Sequence, residues 1–176
     1  MEEIILVDEK DKQMGSGEKL QVHKDGKLHR AFSIYVFNSR GELLVQKRHP
    51  LKYHSGNLWA NTCCSHPRVG ESLDHAVHRR LKEEMGFDCE LAEKTEFIYE
   101  VKFENGLSEH EYLHVYIGQF DGDPIPNKDE VVDYKWISLE DLEKDIAKNE
   151  DVYAYWLKVT MMDKIFKTAT QDKKAA

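Results

Sequence analysis

Between Glu71 and Gly86 the stretch ESLDHAVHRRLKEEMG reads as a single amphipathic helix, and this segment limits the fold more than any other. Ser72 can accept hydrogen bonds from the first free backbone N–H groups. Leu73, Ala76, Val77, Leu81 and Met85 recur at helical spacing and form one apolar stripe. Gly86 supplies the left-handed stop. A one-striped helix must bury that stripe against another layer. The segments around it alternate with period two, as strands do. Ala31–Phe37 (AFSIYVF) leads through the turn Asn38-Ser39-Arg40-Gly41 into LLVQKR, a hairpin pattern. Phe97 to Phe103 and Tyr112 to Phe120 alternate with Asn105-Gly106 between them, and Trp136-Ile137 closes another strand. The expected class is α/β (α+β): a mixed-sheet sandwich flanked by helices.

The rest of the chain fits one domain. Residues 4–7 (IILV) read as a short strand, followed by a polar connector through Gly17, and residues 49–61 read as an irregular loop containing Gly56. Ser138 caps a charged helix, and a last helix carries Tyr153, Trp156, Leu157, Val159 and Met161. The 176 residues suit a single domain over 1–176, with a core from about 4 to 162 and a flexible tail at 169–176. No apolar run approaches the roughly 20 residues that span a bilayer. The start, MEEIILVDEK, lacks the basic and apolar regions of a secretory signal. Cys63, Cys64 and Cys89 cannot all pair, which suits a reducing compartment, so the expectation is cytoplasmic, with no membrane and no obligate protein partner. A net charge of −8 argues against a nucleic-acid surface but leaves room for a small anionic substrate at a local Arg/Lys cluster.

Four groups of side chains stand out. Glu71, Glu83 and Glu84 have an ordinary reading as a solvated acidic face. Acids in a helix's last turn oppose its dipole, however, so a cation partner makes better physical sense there. A cysteine in Cys63-Cys64-Ser65-His66-Pro67 is ordinarily a buried structural residue. Cys64 and His66 stand two apart, so an extended backbone points both to one side. His23 and His29 in VHKDGKLHR read most simply as polar filling of a surface loop. Glu109-His110-Glu111 throws both carboxylates to one face of a strand, where cross-strand ion pairing is the usual explanation. His23, His29, His66, Glu109 and Glu111 together supply three imidazoles and two carboxylates, a set suited to zinc or a first-row transition metal more than calcium. Alternation sends His110 and His114 elsewhere, as structural residues. His49, His54, His75 and His78 read as surface positions.

Glu71, then seven residues, then Arg79, Leu81, Glu83-Glu84, Met85 and Gly86 resemble the Nudix box, whose glutamates bind magnesium beside a diphosphate. Ser65 stands where that box has a leading glycine, and Arg80 replaces a glutamate. The lost carboxylate weakens the hydrolytic metal site, while Arg80 adds a cation suited to phosphate. H-x5-H-R-A-F-S at His23–Ser33, W-x-N-T-x-C-x-H-P at Trp59–Pro67, G-E-S, the altered box, E-x-E at Glu109–Glu111 and the late helix with Trp156 occur in order. The whole set resembles the type I isopentenyl-diphosphate isomerases of the Nudix superfamily.

The resemblance implies a division of labour. His23, His29, His66, Glu109 and Glu111 would hold one divalent metal (Mn2+, Mg2+ or Zn2+). Glu84 would meet the Mg2+ bound to the substrate diphosphate. Cys64 and Glu111 would be the proton-transfer groups, with Glu111 favoured as the acid, and Tyr99 would assist it. Lys19, Arg48, Lys52 and Arg80 would grip the diphosphate, and Trp156 would wall the hydrocarbon pocket. The partner implied is a small allylic or homoallylic diphosphate. The competing readings are a Nudix diphosphohydrolase acting on a nucleoside or sugar diphosphate derivative, and a non-catalytic module with a structural zinc.

Overall fold

One strand organises the molecule. The computed structural model describes residues 2–162, so the tail expected at 169–176 lies outside the described residues. The elements run β1 (Glu3–Val7), β2 (Gln13–Glu18), α1 (Lys19–Asp25), β3 (His29–Phe37), β4 (Glu42–Arg48), β5 (Trp59–Ala60), β6 (Cys63–Ser65), α2 (Leu73–Met85), β7 (Leu91–Lys102), β8 (Ser108–Gln119), β9 (Val131–Ser138), α3 (Leu139–Lys148) and α4 (Tyr155–Met162). Along one edge β3 pairs in parallel with β8, from His29↔Glu111 to Phe37↔Gln119, and β7 adds to β8 antiparallel. Along its other edge β3 is shared by three strands in turn. β1 meets it at His29, β6 at Phe32–Ile34, and β4 at Phe37.

The 31–48 hairpin therefore forms at its turn and then opens. Asn38 N bonds to Glu42 O at 3.0 Å, and β3 and β4 touch at Phe37↔Leu43. β4 pairs with β9 along its whole length, and beyond Leu43 its other edge meets β5 in place of β3. A polar wedge fills the gap. Thr62 Oγ1 accepts from Val36 N (2.9 Å) and donates to Leu44 O (2.7 Å), bridging the separated strands. Asn61 Nδ2 donates to Ile34 O and Cys63 O, and Gln46 Nε2 donates to Thr62 O. All three side chains are buried. Backbone groups deprived of a sheet partner are thus satisfied by side chains, as burial requires.

Alternation on β3 builds two cores. Ala31 and Tyr35 face one side with Leu142, Leu157 and Trp156, while Phe32, Ile34 and Val36 face the other under α2. On α2, Ala76, Val77, Leu81 and Met85 are buried against this second face, and Ser72 Oγ accepts from His75 N at 3.2 Å. Burying Leu81 and Met85 stabilises by roughly 1.5–3 kcal/mol each. Gly86 adopts φ +75°, and a Cβ there would run into the Ile125 carbonyl, so the helix stops where the glycine stands.

Two elements depart from expectation. Residues 13–17, expected as connector, form β2 with Glu18 against β1 at an exposed edge. VHKDGKLHR is not a surface loop: His23 ends up buried in α1 and His29 opens β3. The cap of α1 is Glu18, whose carboxylate accepts from Leu20 N and Gln21 N. No described helix is long and apolar enough to cross a membrane.

Candidate active site

The ends of β3, β6 and β8, with α1 and α4, enclose one cavity. It is lined by Cys64, His66, Glu84, Glu109, Glu111 and Trp156, together with Lys19, Arg48, Lys52 and Arg80. His23 and His29 stand directly behind Glu109. The sequence places the side chains by register. His29 lies opposite Glu111 across the parallel β3–β8 ladder, and Cys64 lies opposite Ser33 across β3–β6.

His23, His29, His66 and Glu109 bring ligand atoms within 4.8 Å of one another, and all four are buried. Glu109 Oε2 is 3.3 Å from His23 Nε2 and 3.7 Å from His29 Nε2; Glu111 Oε1 is 3.3 Å from His66 Nε2 and 3.9 Å from His29 Nε2. The tautomers favour a cation. His23 Nδ1 donates to Lys19 O (2.6 Å) and His29 Nδ1 to Lys27 O (2.8 Å), since a carbonyl can only accept. In a neutral ring this leaves an Nε2 lone pair aimed at carboxylate oxygens. Burial holds His29 down to about 4, and burial and then Lys19 hold His66 well below the ordinary imidazole value. His29 Nε2, His66 Nε2 and Glu109 Oε2 are buried without a hydrogen-bond partner. Two imidazole lone pairs and a carboxylate oxygen left without a hydrogen bond fit a divalent cation, and backbone carbonyls orient two of the imidazoles as they do around metals. The donor set of nitrogens and oxygens suits a divalent metal ion.

Burial opposes charge on Glu109, but His23 and His54 hold it well below the usual carboxylate range. Its neighbour Glu111 is pushed well above that range by burial and then by Glu109. Tyr99 donates to Glu111 Oε2 at 2.7 Å. Across the cavity, burial pushes the Cys64 thiol up to about 12, and Arg48 Nη1 stands 3.7 Å from its sulfur. The Arg48 guanidinium also lies 5.1 Å over the Trp156 ring. Trp156 Nε1 donates to Asn61 Oδ1 (2.9 Å), so the wedge residue that holds the strands apart also sets the indole.

The cations form an alternating chain with acids. Arg80 pairs with Glu84 and, at 3.5 Å, with Glu130; Lys52 also pairs with Glu130. Of the box acids, only Glu84 is buried at the cavity. It accepts from Gln46 Nε2 at 2.9 Å, and burial, opposed by Arg80 and Lys52, leaves its carboxyl below the ordinary value. Glu71 turns away to Arg79 and His75, and Glu83 sits at the surface with Arg79 and Arg80.

Two residues escaped sequence reasoning. His54, read as a surface position, is buried against Glu109 Oε1. Glu130 pairs with Lys52 and Arg80, and no local pattern marks it. His110 bonds Gly26 O, and His114 lies between Glu93 and Asp11; neither lines the cavity. Cys63 is buried under α2, apart from the cavity.

The NUDIX domain profile matches residues 27–157. The chain is 55% identical over 159 residues to an isopentenyl-diphosphate Delta-isomerase 2 of Photorhabdus laumondii, covering 90% of each. It is 45% identical over 172 residues to isopentenyl-diphosphate Delta-isomerase 1 of Aromatoleum aromaticum, covering 98% of this chain and 97% of that protein. A solved structure from Deinococcus radiodurans superposes with TM-score 0.74 at 21% identity over 90% of this chain and 96% of that one, a likeness of fold. Fold, profile and relatives agree, and the chain belongs to the isopentenyl-diphosphate Delta-isomerase family of Nudix-fold proteins.

Proposed function

We propose that the chain is an isomerase interconverting isopentenyl diphosphate and dimethylallyl diphosphate by protonation and deprotonation. The observation that carries the reading is that a thiol, Cys64, and a carboxyl group hydrogen-bonded by Tyr99, Glu111, line one cavity walled by Trp156. Lys19, Arg48, Lys52 and Arg80 ring the same space and fit a diphosphate. His23, His29, His66, Glu109 and Glu111 would hold a divalent ion (Mn2+, Mg2+ or Zn2+), which supplies a fixed positive charge that orders the two carboxylates. Glu84 would face the Mg2+ that accompanies the diphosphate.

Moving the double bond requires a proton added at the terminal alkene carbon and another removed from the methylene beside the resulting tertiary cation. One group must therefore enter protonated and the other as an anion. Glu111, raised by burial and then by Glu109, serves as donor, and Tyr99 holds its Oε2 in place. Cys64 serves as acceptor: burial opposes its thiolate, and Arg48 at 3.7 Å is the charge that offsets this. The Trp156 face stabilises the cation without capturing it.

A hydrolase reading has less support. Arg80 occupies a box position where a carboxylate is expected and lies against Glu84. Free thiols at Cys63, Cys64 and Cys89 suit a cytoplasmic setting. The test is incubation with isopentenyl diphosphate and Mg2+ in heavy water. The expected product is the dimethylallyl isomer carrying deuterium in its new methyl group, lost in Cys64→Ala and in Glu111→Gln and kept in Cys63→Ala. Phosphate release without isomerisation would replace this reading with the hydrolase. Full activity in both variants would overturn the site.

A further inference from the structure

His54 reaches the metal carboxylate from outside the ligand set. It lies in the segment between β4 and β5, is 6% exposed, and its Nε2 lies against Glu109 Oε1, leaving Oε2 to face His23 and His29. Its Nδ1 has Ser55 Oγ at 3.2 Å, a hydroxyl able to donate. With Ser55 Oγ donating to Nδ1, the N–H stands on Nε2, the nitrogen that lies against Glu109. The ring stacks on Phe103 (5.1 Å, 14°) and meets Trp156 edge-on (5.6 Å, 81°). Its backbone carbonyl accepts from Arg48 Nη2 at 3.4 Å. The same short segment carries Lys52.

We propose that His54 is a positioning residue. It donates to the outer oxygen of Glu109, aims the inner oxygen at the metal, and so ties metal binding to the 49–58 segment that carries a diphosphate-gripping lysine. The inference rests on the proposed metal site and concerns a residue outside its ligands. Carboxylates that ligate metals are themselves hydrogen-bonded, and losing such a partner typically costs about 10–100-fold in metal affinity.

The experiment titrates the chelator-stripped full chain with Co2+, following its visible absorption, in the wild type, His54→Phe, His54→Gln and His54→Asn. Phenylalanine keeps the stacked ring and removes the donor. Glutamine returns an N–H near the imidazole Nε2 position, which the shorter asparagine does not reach. Expected are roughly 10–100-fold weaker Co2+ binding in the Phe and Asn variants and substantial recovery with Gln. If the Phe variant does not fold, as read by circular dichroism, the Gln–Asn pair decides alone. Hydrogen exchange supplies the second readout: Co2+ should slow exchange across residues 49–58 in the wild type and not in the donor-less variants. Wild-type affinity in Phe or Asn, no recovery with Gln, or equal slowing of exchange in all variants overturns the inference. A wild-type chain that binds no Co2+ removes the metal site itself, and with it the role of His54.

Discussion

Asn61→Ala removes the amide that joins the split sheet to the pocket wall. Asn61 is fully buried and makes three hydrogen bonds: Nδ2 to Ile34 O (3.0 Å) and Cys63 O (2.7 Å), and Oδ1 from Trp156 Nε1 (2.9 Å). Truncation leaves two carbonyls and an indole N–H short of a partner. Each buried unpaired group costs about 1–3 kcal/mol, and water entering the vacated space recovers part, so the expected loss is about 3–5 kcal/mol. That is a large share of a typical 5–15 kcal/mol domain stability. Trp156→Phe breaks one of the same bonds from the other side and, with its lost packing, should cost about 1–3 kcal/mol. In a double-mutant cycle the shared bond is lost once, so the double variant should be less destabilised than the sum by about 1 kcal/mol. Urea unfolding followed by far-ultraviolet circular dichroism gives all four values. A loss below about 1 kcal/mol for Asn61→Ala, or additivity within about 0.5 kcal/mol, would refute the reasoning.

Two further outcomes follow from other parts of the molecule. Arg79, followed by the Arg68 N–H and His75 against a modest burial penalty, holds the Glu71 carboxyl down to about 2. A depressed folded-state value stabilises above the unfolded pKa, about 4.5, and that contribution fades as pH falls through about 2. The stability difference between wild type and Glu71→Gln, discounted for screening to about 1–2 kcal/mol, should therefore be full at pH 6 and nearly gone at pH 2. A pH-independent difference in urea midpoints would contradict this. Stripping divalent ions and then restoring Mn2+ to about 100 times its Kd should recover about 2.7 kcal/mol in thermal unfolding, and an unchanged Tm would speak against the His/Glu centre.

Local patterns carried the reading where the determining forces are local. The α2 helix was legible from Ser72 to Gly86 because cap, stripe and stop all lie within it. Glu109 and Glu111 share a face because strand alternation dictates it, and Cys64 and His66 line one cavity for the same reason. The 31–48 hairpin was half legible: its turn is local, but the opening depends on Thr62 and Asn61, distant in sequence. α1 went unread because its cap is a glutamate, and its few apolar side chains give little periodicity. Strand β2, QMGSGE, has two glycines and almost no apolar side chain, so only its partner β1 makes it a strand. His54 and Glu130 were illegible because loop residues gain meaning from what the fold sets opposite them.

Two adjacent cysteines with identical side chains end in different surroundings. β6 is three residues long, and its pairing places Cys63 opposite Ile34, in the layer under α2, and Cys64 opposite Ser33, on the cavity side. Odd or even position along a strand, rather than anything intrinsic to the thiol, selects which sulfur lines the cavity. The Asn61 bond to the Cys63 carbonyl pins that parity. A one-residue insertion or deletion in the short run between Trp59 and Cys63 would exchange the faces of the two sulfurs while leaving the chain's thiols unaltered in number.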